Sequence, residues 1–183
     1  YLSYEKYDTI YGNVINNCSY GIDLQSGSHF NKISFNALND NSRYGIHLFE
    51  SNNNNIFSNT LKLTNNLDTP SFAIELTNSS NNAVYSNTLS VYQIAFRFYI
   101  GENNRVYNNK ILNFRPVVVM GNTLNLNWAN SYPLGGNYWN DYIGNDAYSG
   151  VNQDVAGSDG IGDQPYALYA FDSITDGRLG NAV

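Results

Sequence analysis

Five short segments of the chain repeat one template. "IYGNVI", "ISFNAL", "IFSNTL", "VYSNTL" and "VYNNKI" each read apolar, two variable positions, asparagine, one variable position, apolar. Their asparagines are Asn13, Asn36, Asn59, Asn87 and Asn109, spaced 23, 23, 28 and 22 residues apart. A second strand pattern recurs in the same period as "GIDL", "GIHL", "AIEL", "AFRF" and "VVVM". Its alternation predicts inward pairs Ile22/Leu24, Ile46/Leu48, Ile74/Leu76, Phe96/Phe98 and Val118/Met120. Short alternating strands at a fixed period, with no helical pattern between them, describe an all-β parallel solenoid. One coil cannot bury its own apolar face, but stacked coils share a continuous core. Equivalent positions then fall above one another at about 4.8 Å. The asparagine column fits this stacking twice over. Asparagine tolerates the left-handed turn conformation, and amides in register hydrogen-bond along the axis. Residues 1–121 are read as about five coils. Residues 122–183 form an irregular Gly/Asp/aromatic cap of the same domain.

Composition agrees with extended β surfaces. Charged residues make up only 13% of the 183, and there are sixteen tyrosines. Asparagine and glycine disfavour helices, whereas tyrosine packs well with one end wet. A net charge of −6 argues against nucleic acid as a partner. The acid is concentrated: between Pro116 and Gly177 there are seven aspartates and no lysine or arginine. The single cysteine, Cys18, excludes an internal disulfide and is expected as a small buried rung. No stretch is long and apolar enough to cross a bilayer as a helix. Two N-glycosylation sequons occur, Asn17-Cys18-Ser19 and Asn78-Ser79-Ser80. Only seven residues, "YLSYEKY", precede the first clear coil, and they do not read as an amphipathic cap. That end is expected to be uncapped and available for self-association, because open solenoid ends expose strand edges.

"GIHLFESNNNNIFSNTL" and "AIELTNSSNNAVYSNTL", with the tail "GNYWNDY" and "DGIGDQPY", carry a family resemblance. The chain resembles the NosD-like group of right-handed parallel β-helices, also called carbohydrate-binding and sugar-hydrolase repeats, over roughly residues 8–168. The tail is similar to that of archaeal, methanogen-type cell-surface proteins of this group. The resemblance implies a right-handed parallel β-helix and an extracellular or cell-surface location. The group includes copper-linked maturation factors for nitrous oxide reductase. Copper sites want His, Met or Cys ligands. This chain offers His29, His47, Met120 and Cys18, scattered over different columns, so a copper role is not expected here.

Three sets of residues carry candidate chemistry. The first is the column between the inward pairs of the second strand: Asp23, His47, Glu75, Arg97 and Val119. Register alone places Asp23 and Glu75 about two rungs, roughly 10 Å, apart with His47 between them. That lies near the outer edge of the spacing in inverting glycosidases. Asp23, His47 and Glu75 are therefore the catalytic candidates, with Phe49, Arg97 and Tyr99 as neighbouring glycan contacts. The competing reading is a solvated, mutually compensating charge ladder on the outer face. The second set is the loop around "SDGIGD": Asp159, the Ile161 carbonyl and Asp163 within it, and Asp154 upstream and one step out of register, are the calcium candidates. Val155 and Gly157 stand where a calcium loop needs oxygen ligands, which favours a Gly/Asp turn cluster instead. The third set is Tyr138, Trp139 and Tyr142, either a hydrophobic end cap or a sugar-stacking platform.

The leading functional expectation is a non-catalytic extracellular surface module, structural or adhesive, self-assembling and in contact with polysaccharide. It requires no cofactor, with calcium as the candidate ion. The alternatives are a polysaccharide hydrolase or lyase using the Asp/His/Glu column, and a metal-dependent accessory factor.

Overall fold

A computed structural model describes residues 1–64, 70–90, 92–112, 117–171 and 178–182, with only the backbone course for 117–121, 168–171 and 178–182. The chain winds through three parallel sheets, the arrangement of a right-handed parallel β-helix of about five turns. The first sheet stacks Leu2–Ser3, Tyr20–Gln25, Tyr44–Phe49, Phe72–Thr77, Ile94–Glu102 and Val117–Leu124. The second stacks Thr9–Tyr11, Lys32–Ser34, Asn55–Phe57, Ala83–Tyr85 and Arg105–Tyr107. The third stacks Val14–Asn16, Ala37–Asn39, Thr60–Lys62, Thr88–Ser90, Lys110–Leu112 and Tyr138–Trp139. Each coil thus places one long strand and two three-residue strands around a triangular core.

The core follows the predicted columns. Ile22, Ile46, Ile74 and Phe96 are in register, as are Leu24, Leu48, Leu76 and Phe98. Ile33, Ile56, Val84 and Val106 line the second wall; Leu38, Leu61, Leu89 and Ile111 line the third. All of these side chains are buried. Truncating one, as in Leu61→Ala, is expected to cost about 2–5 kcal/mol. The last rung of the first sheet departs from expectation. Val117 and Val119, not Val118 and Met120, fall opposite Phe96 and Phe98, so Val118 rather than Val119 follows Arg97. Three consecutive valines leave the period-two phase undetermined by pattern alone.

The asparagine column is a continuous ladder. The backbone N–H and Nδ2 of Asn13, Asn36, Asn59 and Asn87 each donate to Oδ1 of the next asparagine at 2.9–3.0 Å. Asn109 passes the ladder to a sixth rung, Asn137, from "GGNYW". The left-handed residue is not the asparagine itself but its predecessor: Gly12, Phe35, Ser58, Ser86 and Asn108 all have positive φ. This corrects the turn role expected of the ladder asparagines: the neighbour bends the chain, and the asparagine ties the bend to the next coil. A second ladder, Asn31, Asn54, Asn82 and Asn104, fixes the preceding corner in the same way. Its asparagines lie in runs such as "SNNNN", which read as simple turns.

Residues at both ends extend the coils. Leu2 pairs with Leu24 and packs on the core, so "YLSYEKY" is the edge of a coil rather than a segment before one. At the other end Trp128, Trp139, Tyr142 and Tyr166 close over the core. Beyond them Tyr148–Ser149 pairs antiparallel with Val155–Ala156, and Leu168–Phe171 with Arg178–Ala182. Cys18 is exposed at a corner, not a buried rung. Asp172 and Asp176 lie outside the described residues.

Candidate functional site

The register of the first sheet brings Asp23, His47, Glu75 and Arg97 into one column. They touch in sequence. Asp23 Oδ1 lies 2.8 Å from His47 Nδ1, and His47 Nε2 lies 3.8 Å from Glu75 Oε1. Arg97 Nη1 donates to Glu75 Oε2 at 3.0 Å. Gln25 Nε2 donates to the other Asp23 oxygen, and Thr77 Oγ1 donates to Glu75 Oε1.

The column is not on a solvated face, as the alternation predicts. Asp23 is 7% exposed, His47 8% and Glu75 3%. The cover is a second column, outside the predicted set of residues. Tyr20, Tyr44 and Phe72 are in register along the same strands. Tyr44 stacks on His47 at 4.8 Å and on Phe72 at 5.6 Å. The Arg43 guanidinium sits over Tyr20 and Tyr44, and that of Arg97 over Phe72. Burial, helped by the Glu75 carboxylate, pushes the Tyr44 phenol above its usual range. The backbone explains how the aromatics turn outward. Gly45 lies between Tyr44 and Ile46, and a Cβ there would meet Leu61, the Ala73 carbonyl and Tyr92. Position 45 therefore faces the core, and the strand bends so that Tyr44 and His47 share the outer side. The signal was present in sequence as "YGI", "YGI" and "FAI" at the repeat spacing.

The predicted glycan contacts do not converge. Phe49 and Tyr99 are half-buried and separated by the Thr77 rung. Trp139 is buried and stacks on Tyr166 at 4.5 Å, which makes it part of the end cap. The Tyr142 ring is wedged against Gly144 and Gly162, and its hydroxyl donates to the Gln164 carbonyl. Tyr138 alone is exposed, with Lys110 over its ring. Tyr138, Trp139 and Tyr142, with Leu134 and Ile161, border a half-open cleft of about 920 Å³ at the C-terminal end, away from Phe49 and Tyr99.

The acidic loop is tied together by its own peptide groups. Asp146 accepts from Ser158 Oγ and from the N–H of Asp159 and Gly160. Asp159 accepts from Ile161, Gly150 and Gln153. Asp163 accepts from the N–H of Ala147 and Tyr148. The Ser158 bond leads in holding the Asp146 carboxyl below its usual range, against a smaller opposing effect of desolvation. Asp154 stands apart from this set of bonds. Among the described residues no group of three or more His, Cys, Asp or Glu side chains is placed to hold a metal ion.

A family model described as "Periplasmic copper-binding protein (NosD)" matches residues 1–144. The chain belongs to the NosD family. No curated protein and no solved structure matches it. The match begins earlier and stops earlier than the span of the sequence resemblance, so it includes the first coil edge and omits the acidic loop. The copper in the NosD description finds no fitting donor set here. His47 is enclosed between two carboxylates beneath Tyr44, and His29 Nδ1 accepts the Asn52 N–H at 2.9 Å. Cys18 lies in another column, and Met120 is described by its backbone alone. No helix occurs among the described residues, so none is long and apolar enough to cross a membrane.

Proposed function

We propose that this chain is a non-catalytic, extracytoplasmic β-helix module that serves as a rigid surface element and contacts polysaccharide without cleaving it. One observation carries the non-catalytic reading. The carboxylates and histidine that a hydrolase or lyase on these coils would use are buried, mutually paired and roofed by Tyr44 and Phe72. A general acid or base must reach its substrate within hydrogen-bond distance. The periplasmic description of the family supports a location outside the cytoplasm. The test is a polysaccharide panel assayed for both binding and turnover. Retention on a glycan without product release is expected. Turnover that disappears in Glu75→Gln would overturn the reading.

Self-association through the first coil belongs to the same reading. Among the described residues no strand pairs with the outer edges of Leu2–Ser3, Thr9–Tyr11 and Val14–Asn16. Tyr1, Tyr4, Tyr7, Tyr11 and Val14 are all exposed there. Each ladder asparagine after Asn13 receives donors from the coil before it, and among the described residues no donor reaches Asn13 Oδ1. Asp8, whose N–H donates to Asn31, ends the second ladder in the same sense. Such a face fits a strand edge that brings donors. A twofold head-to-head pair would set acceptor against acceptor.

A further inference from the structure

We propose that Asn78 and Asn17 are attachment sites for N-linked glycans. The proposal rests on the extracytoplasmic location read above. The two sequons sit at equivalent kinds of position. Asn78 follows the long strand of its coil with φ +49°, and Asn17 follows the third-sheet strand with φ +57°. Both are exposed on corners. Among the described residues none hydrogen-bonds the Asn17 side chain, and that of Asn78 meets only Glu50, at a long 3.4 Å.

The rest of the molecule sharpens the contrast. The nine asparagines buried among the described residues use their amides in ladders or corner bonds, and none has Ser or Thr two residues on. In a ladder that position must be the apolar core residue, such as Leu61 after Asn59 or Ile111 after Asn109. The repeat thus keeps sequons off the ladder positions and leaves them to exposed corner asparagines, which a transferase can reach.

A second observation concerns Asn78 alone. It stands on the rim of a polar corner groove of about 500 Å³, lined by Tyr4, Ser26, His29, Glu50, Asn52 and Ser80. His29 Nδ1 accepts the Asn52 N–H, which leaves Nε2 beside Gly27 as a donor to the groove. Glu50 supplies acceptors, and Asn52 Nδ2 and the serine hydroxyls supply donors. Such a mixed set suits the hydroxyls of the first sugars of a glycan carried by Asn78. The transfer uses a lipid-phosphate-linked oligosaccharide and its membrane transferase. Nδ2 displaces the lipid phosphate at the anomeric carbon. The C–N bond forms, the C–O bond breaks with its electron pair leaving on the phosphate, and one amide proton is lost.

The test is peptide mass spectrometry of the protein from its native cells, with protease accessibility of intact cells measured in parallel. Glycan mass is expected on tryptic peptides spanning residues 7–32 and 63–97. Ser80→Ala is expected to abolish modification of the second peptide, Ser80→Thr to preserve it, and Ser19→Ala to abolish that of the first. These serine variants distinguish enzymatic transfer from chemical glycation, which would persist in all of them. Protein that is accessible outside the cytoplasm but unmodified on both peptides overturns the glycan proposal and leaves the location standing. Protein that is inaccessible and unmodified overturns both.

Discussion

At the scale of single residues, asparagine does the work that backbone pairing cannot do at a corner. Asn59 donates to the Ile33 and Phe57 carbonyls and to Asn87, and accepts twice from Asn36. Its removal strands several buried groups at once, each costing about 1–3 kcal/mol. Asn59→Ala is expected to lose about 2–5 kcal/mol of stability in chemical denaturation, whereas Asn13→Ala, on an exposed end rung, loses far less. Similar losses for the two would refute the ladder as a cooperative element. Glu75 makes a parallel case. Glu75→Ala leaves Arg97 and His47 without their shared partner in a covered site. Breaking a buried pair from one side costs about 3–5 kcal/mol, and the loss is expected in the melting temperature. The ladder was legible from spacing alone. The burial of Glu75 was not, because alternation says which side of a strand a residue faces and nothing about what lies over it. Tyr44 and Phe72 provide that cover from three positions earlier.

At the scale of the element, a strand is bent where its backbone is crowded. Gly45→Ala is expected to cost about 1–3 kcal/mol, because the new methyl group meets the fixed Ala73 carbonyl. Differential scanning fluorimetry checks this, and an unchanged melting temperature would mean that the corner relaxes freely. The acidic loop responds to pH instead. The folded pKa of Asp146 lies below its ordinary value of 3.8, so its bonds to Ser158, Asp159 and Gly160 add stability above that value. This contribution is lost as pH falls through the still lower folded value. Amide hydrogen exchange should therefore rise in residues 146–163 on strong acidification before the coils open. Asp146→Asn should reproduce the loosening at neutral pH. Strand positions were readable wherever apolar and polar residues alternate. The phase failed at Val117–Val119, where three identical side chains carry no alternation, and the cap geometry depends on contacts far apart in sequence, such as Trp139 with Tyr166.

At the scale of the molecule, the two ends differ in kind. The C-terminal end is covered by Trp128, Trp139 and Tyr166, while among the described residues no strand pairs with the outer edge of the first coil, where aromatics are exposed. Light scattering is expected to show mass rising with concentration, and Tyr11→Lys combined with Val14→Lys to suppress the rise. A monomer at all concentrations would sink self-assembly through this face. The ladder also gives the rod a polarity of charge. In parallel sheets the backbone dipoles largely cancel. The side-chain carbonyls of Asn36, Asn59, Asn87, Asn109 and Asn137 all receive donors from the preceding coil, so their oxygens point toward the N-terminal end. Their dipoles add, as peptide dipoles do in an α-helix, but with the opposite sense: here the amino end is the negative pole. A cation or a positively charged strand approaching along the axis would find the two ends of this rod unequal before touching either.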